Sequence, residues 1–344
     1  MATQQTPGAF IGGLRVVAVD GTSFDIPDSE ANARVFGYPG TRPGTRAAFP
    51  KVRLVLLVEA GTHLILDALL SPYRLGERGK ARKLLRSVGP GMLLMWDGGL
   101  HSYLMVHSAV ARGCAYVSRV PAHVKLVVEQ ELPDGSYLSH LYPSQKLQKQ
   151  GYLPLAVRVM SYLVTHPEKP NQPKTCRLVT NLLAPEQFSA GLLAKEYHRL
   201  WEIETTIDEV KTHLNGRQTP IRSENPREVV QELYGWLLGH WVVRCLMFTA
   251  AQASGLEPLR LSTTTVHVLR RAIPEFQRTV PEDLGLLLAG LLAEIPSAVL
   301  PEPDHRSNPR VVKKRVSKYL AKKLTSRGTQ GKREPPAFPL PITA

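Results

Sequence analysis

At 344 residues, with 43% hydrophobic residues, the chain is long enough to bury a full core, as one large domain with an insertion or as two domains. Its three cysteines, Cys114, Cys176 and Cys245, lie far apart without paired spacing, which argues against a disulfide framework or a zinc knuckle and fits a reducing cytoplasm. The formal net charge is +14, and ten Lys and Arg residues fall between Arg310 and Arg333 with no acid among them, so most of the excess belongs to a tail that reads as a solvated charge run or a nucleic-acid-binding arm.

In chain order, a short leader (1–13) precedes the apolar run Leu14–Val19, which reads as a strand closing on an Asp20-Gly21-Thr22 turn. Arg53–Glu59 and His63–Leu70 read as a hairpin around Ala60-Gly61-Thr62. Glu77–Val88 is a basic helix, Met92–Trp96 a buried strand running into Asp97-Gly98-Gly99, His101–Arg112 a helix and Ala115–Val120 a fifth strand. This β-β-β-α-β-α-β order fills 14–122. From 123 to 184 alternating, β-branched runs around the turn Leu132-Pro133-Asp134-Gly135-Ser136 read as a strand-rich insertion.

The region 185–300 is helical, with a long amphipathic segment over Pro226–Ala253 and shorter ones over Thr263–Ala272 and Asp283–Glu294. Its most apolar part, Leu233–Ala251, is interrupted by His240 and Arg244, and the start of the chain has no charged-then-apolar signal pattern, so no membrane span or secretory leader is expected. Residues 301–344 read as a basic, Pro-containing flexible tail.

The densest signal is Tyr197–Lys211. Read as one helix, it carries Tyr197, Glu204 and Lys211 seven residues apart, drifting only roughly 20° from one to the next, so the three share an edge. Ile203, Ile207, Val210 and Leu214 form an apolar stripe beside them. Trp201, within roughly 60° of Glu204 on the same wheel, is a candidate for stacking on an unpaired base.

Asp20 at the end of the first strand, Asp97 after the fourth and Glu204 on the late helix converge if those two strands are neighbours and the helix crosses them. Three clustered anions repel unless cations neutralise them, and oxygen ligands select magnesium or manganese. Two such ions roughly 3.5–4 Å apart would serve in-line phosphoryl transfer. Taken singly, Asp-Gly is an ordinary turn signal and a lone helical Glu an ordinary solvated charge.

These pieces resemble the DDE transposases of bacterial insertion sequences, of the IS-four type. The resemblance runs from about Leu14 to Arg278. It rests on Val19-Asp20-Gly21-Thr22, on Leu94-Met95-Trp96-Asp97-Gly98-Gly99, and on the Tyr197–Lys211 segment, which is similar to the family's Y-R-E-K signature. Leu132–Ser136, Arg177–Leu182 and Gln231–Gly235 also look familial.

The resemblance implies a ribonuclease H-like α/β fold, a mixed sheet flanked by helices with a β-rich insertion before the helix of the catalytic Glu and a helical C-terminal region. It makes Asp20, Asp97 and Glu204 the catalytic and metal-binding triad for two Mg2+ ions, with Mn2+ as a substitute, and Tyr197 and Lys211 contacts to DNA phosphates. The implied reaction is cleavage of double-stranded DNA at transposon ends and strand transfer into a target, by a homodimer when DNA-bound, in the bacterial cytoplasm at the nucleoid. A DNA-binding remnant that does not cut, and a nuclease without strand transfer, are the competing readings.

Three departures from the family pattern stand in the sequence. Leu200 occupies the signature's arginine position, and Arg199 projects roughly 140° or more from Glu204 on an ideal helix. Asp97-Gly98-Gly99-Leu100 replaces the usual Asp-Arg-Gly-Phe. Only nineteen residues precede Asp20, where the family has a helical end-recognition domain, so a shortened reading frame is expected.

Overall fold

The structure, a computed structural model, describes residues 2–40, 45–166, 169–214, 221–263 and 265–300, and the backbone of 322–323. Most of the basic tail expected at 301–344 therefore lies outside the described residues. The sheet is built on β1 (Leu14–Asp25), which pairs antiparallel with β2 (Lys51–Glu59). A hairpin leads on to β3 (Ile65–Pro72). On its other side β1 pairs in parallel with β4 (Met92–Trp96), which pairs in parallel with β5 (Ala115–Arg119).

The insertion continues this sheet rather than forming a layer of its own. It supplies β6 (Gln130–Glu131), β7 (Tyr137–Leu141), β8 (Leu155–His166) and β9 (Lys169–Thr180), and β9 returns antiparallel to β5. The strand order is β3-β2-β1-β4-β5-β9-β8-β7-β6, with Phe10–Ile11 also paired to β1. The first five strands stand in the ribonuclease H-like order that the resemblance implies.

Successive residues of a strand point to opposite faces, and both faces of the central strands are covered, which is why these strands read as unbroken apolar runs. Val17, Val19, Leu94, Trp96 and Tyr116 face α2 (Glu77–Leu84) and α3 (Tyr103–Ala111), meeting Ala81, Leu84, Met105 and Val106. Val16, Ala18, Leu54, Leu93 and Met95 face the other layer, where Ile203, Val210, Leu233 and Leu237 arrive from later helices.

The helix α1 (Glu30–Phe36) was not expected from the sequence. Its seven residues carry no readable apolar period, and it is held from outside. Ser29 caps it through Asn32 N–H, and Asn32 Nδ2 donates to Ser223 O at 3.1 Å.

Two further expectations are corrected. Asp20 does not lie in a turn: β1 runs on through it to Asp25, paired with β2 as far as Asp25↔Lys51, so the ladder overrides the Asp-Gly turn preference. Tyr197–Lys211 is not one helix. α4 (Ala190–His198) ends, α5 (Trp201–Asp208) begins, and Glu209–Leu214 widens into a π-helix. Across the joint the backbone bonds tighten to three-residue steps, Leu200 N–H to Tyr197 O at 3.0 Å and Glu202 N–H to Arg199 O at 3.0 Å. The constant 100° step that aligned the three side chains therefore fails.

The long helix α6 (Pro226–Ser254) behind them starts on an Asn225 cap with Pro226 in its first turn, and ends on Gly255 at φ 67°. Two shorter helices follow, α7 (Thr265–Arg278) and α8 (Leu284–Glu294). Among the described residues no helix is long and apolar enough to cross a membrane.

Candidate active site

The parallel register of β1 and β4 pairs Ala18 with Met95. Two residues further along each strand stand Asp20 and Asp97, opposite each other and on the face that Ala18 and Met95 share with Ile203 of α5. Glu204 follows Ile203 and is exposed, whereas Glu202, Ile203 and Thr206 are buried against the sheet and the neighbouring helices.

Asp20 Oδ1 accepts the N–H of Gly21 at 2.7 Å, and Asp97 Oδ1 accepts the N–H of Leu100 at 3.0 Å. Burial pushes the Asp20 carboxyl up to about 7. The Gly21 hydrogen bond opposes the rise, and the charges of Asp97, Glu77 and Glu204 add to it. The three residues singled out from the sequence thus lie within one another's electrostatic reach, in a group short of positive charge. Such a donor set of carboxylate oxygens suits a hard divalent cation. Among the described residues, no three Asp, Glu, His or Cys side chains already stand in an arrangement that would hold a metal ion.

Tyr197 is only 8% exposed. Burial raises the pKa of its hydroxyl and the charge of Asp97 raises it further, while Arg119 opposes the rise through its charge and a backbone hydrogen bond. The phenol therefore sits beside Asp97, inside rather than along an open helix edge. Lys211 is half-buried, its ammonium 5.1 Å from the centre of the Phe24 ring. Trp201 is 55% exposed. Arg199 is engaged elsewhere: Nη1 donates to Gly8 O at 2.7 Å and to Glu196 Oε1 at 3.0 Å, which agrees with the wheel reading that it does not replace the missing signature arginine.

Two sets of residues were missed from the sequence. Glu77, the first residue of α2, is a fourth carboxylate near Asp20. Nothing in the local sequence marks it, because a Glu in the first turn of a helix is ordinary.

The second set is a buried ionic cluster on the opposite side of α5 from Glu204. His63 Nε2 bonds Glu202 Oε2 at 2.8 Å and its Nδ1 bonds Glu209 Oε1 at 2.9 Å. His240 Nε2 and Arg244 Nε each bond Glu209 Oε2 at 2.9 Å, and Arg244 Nη2 reaches both Glu209 Oε1 and His63 Nδ1. Burial alone would raise the Glu209 carboxyl, but the charges of Arg244 and His63 and the hydrogen bonds from both histidines outweigh it and hold the group well below the usual carboxylate range. His63 adopts φ 59°, uncommon for a residue with a side chain, at the turn between β2 and β3. The seven-residue spacing of Glu202 and Glu209, matching that of Tyr197, Glu204 and Lys211, was the available signal.

The fold and the carboxylates on β1, after β4 and on a late helix fit a family whose match is direct: the Transposase DDE domain family matches residues 11–240, and the chain belongs to it. Its function is accordingly DNA transposition, by an enzyme that cleaves and transfers DNA strands, and the family generally uses divalent metals. The chain is 28% identical over 318 residues to the transposase InsG for insertion sequence element IS4 of Escherichia coli (strain K12), covering 91% of this chain and 71% of that protein. It is 25% identical over 181 residues to the putative transposase InsZ of the same organism, covering 53% and 58% of the two chains. Among solved structures, the piggyBac transposase synaptic complex with hairpin DNA aligns with a TM-score of 0.40 at 10% identity, covering 85% of this chain and 58% of that one.

The buried cluster makes a stability prediction. Glu209→Leu leaves Arg244 without its carboxylate and is expected to cost about 3–5 kcal/mol in urea unfolding, while adding Arg244→Met should recover much of the loss. Because folding depresses the Glu209 pKa, its contribution is present above the unfolded value of about 4.3 and is lost as pH falls through the folded value. The gap between wild type and Glu209→Gln should therefore shrink steadily when unfolding is measured at successively lower pH below about 4.

Proposed function

We propose that Asp20, Asp97 and Glu204 hold two Mg2+ ions, with Mn2+ able to substitute, and that this site cuts double-stranded DNA at the ends of a mobile element and joins the freed end to a target. When bound, such ions supply Lewis-acid activation of a water or a 3′ hydroxyl and stabilise the leaving oxygen. The observation that carries the reading is the β1–β4 register, which sets Asp20 against Asp97 on the sheet face that α5 covers.

The chain's own residues have separate tasks. Asp20, extended within a paired strand, and Asp97, tied back onto Leu100, are rigid donors fixed by backbone hydrogen bonds. Glu204 reaches the site from a helix whose other face is locked by Glu202 and Glu209. Lys211 contacts a DNA phosphate from the helix edge. Tyr197 orients that contact from beneath, its hydroxyl beside Asp97. The protein bridges two DNA ends as a homodimer and works in the bacterial cytoplasm, at the nucleoid.

Nicking of a supercoiled plasmid carrying this gene and its flanks tests the reading. Wild type is expected to nick at the flanks in Mg2+, and Asp97→Asn to lose at least about a hundredfold in rate while keeping its melting temperature, since even outer-shell partners of metal ligands are worth 10–100-fold. Undiminished nicking by that variant would contradict the assignment. Lys211→Ala should weaken DNA binding similarly across sequences and reduce the slope of log affinity against log salt by about 1, measured by fluorescence anisotropy over a salt series.

A further inference from the structure

Glu77 enters from the face of the sheet opposite Glu204. Odd-numbered residues of β1, Val17 and Val19, point towards α2, and Gly21 is the next in that row. A side chain at Gly21 would collide with Glu77: a Cβ built there falls 1.7 Å from Oε1 and 2.6 Å from Cδ. The one place where β1 carries no side chain on this face is thus filled by a carboxylate, immediately beside Asp20.

A Glu in the first turn of a helix gains from the helix dipole while fully solvated and has no need to turn inward. Glu77 turns inward nevertheless, with its side chain 29% exposed, towards residues of its own charge. Burial raises its carboxyl, Arg53 opposes the rise, and the charge of Asp97 adds to it. The cation against it is a guanidinium: Arg53 Nη1 donates to Glu77 Oε2 at 3.2 Å. That is longer than the 2.7–2.9 Å of a tight charge-assisted bond, so the pair is exchangeable.

We infer that Glu77 is a fourth carboxylate of the cation-binding set, paired with Arg53 in the metal-free protein and released from it to a divalent cation beside Asp20. The inference rests on the proposed reading of Asp20 and Asp97 as cation ligands. Arg53 then acts as a competitor that neutralises the set when it is empty, and Gly21 is required because any larger residue would push the fourth carboxylate away.

The test is Mn2+ titration of the full chain without DNA, followed by electron paramagnetic resonance of free Mn2+, with melting temperatures recorded for every variant. Glu77→Gln is expected to weaken Mn2+ binding about tenfold, within the range typical of groups supporting a metal site. Glu77→Asp, which keeps the charge but draws it back by one methylene, should fall between. Arg53→Met should tighten binding in the wild-type background and lose that effect in Glu77→Gln, because the double-mutant cycle isolates the pair.

Unchanged Mn2+ affinity in Glu77→Gln, with binding abolished in Asp97→Asn, would overturn the inference and leave the site standing. An Arg53→Met gain that persists in Glu77→Gln would also overturn it, since Arg53 would then act only through its distant charge. Insensitivity to Asp97→Asn would overturn the cation site itself and the inference with it.

Discussion

The parallel pairing of β1 with β4 is the constraint on which the rest of the site depends. Two apolar strands far apart in sequence, Leu14–Asp25 and Met92–Trp96, lie side by side in a fixed register, and the first polar residues beyond the shared apolar stretch are Asp20 and Asp97. A slip of one residue would turn either aspartate to the α2 face, because side chains alternate along a strand. The hydrophobic burial that fixes the register, Val16 and Ala18 on one face and Val17 and Val19 on the other, therefore also fixes the chemistry.

The helix that completes the group is held by opposite electrostatics. On its outer side Glu204 joins carboxylates that raise the pKa of Asp20 and lack compensating charge. On its inner side Glu202 and Glu209 are tied to His63, His240 and Arg244, and Glu209 is held far towards its charged form. The inner cluster links α5, α6 and the β2–β3 turn, so the exposed carboxylate projects from a support that spans three elements. Buried ion clusters of this sort contribute little net stability compared with apolar packing, but removing a single member is costly. Such an arrangement enforces one orientation of α5.

Much of this was legible in the sequence because it was written in local patterns. The five core strands announce themselves as apolar runs, and the Asp97-Gly98-Gly99 turn and the Asn225-Pro226 helix start carry their own chemistry. What was not legible depended on contacts between distant residues. The break at Arg199–Leu200 follows from tightened backbone bonds and from Arg199 reaching Gly8, 191 residues away in sequence. α1 is held by Ser223 and Glu224, again about as far off. Asp20 resisted its turn preference because β2 pairs with the strand beyond it. Glu77 matters only because Gly21 leaves room for it, a fact no window of sequence contains.

The central claim, that the carboxylates of β1, β4 and α5 bind a shared cation, is tested most directly by letting the bound ion mark its own location. With Fe2+ in place of Mg2+ and ascorbate and peroxide added, hydroxyl radicals cut the polypeptide next to the metal. The account predicts backbone cuts clustered around Asp20, Asp97 and Glu204, suppressed by excess Mg2+ and absent in Asp97→Asn. Cuts that fall elsewhere, or that Mg2+ does not suppress, would contradict it.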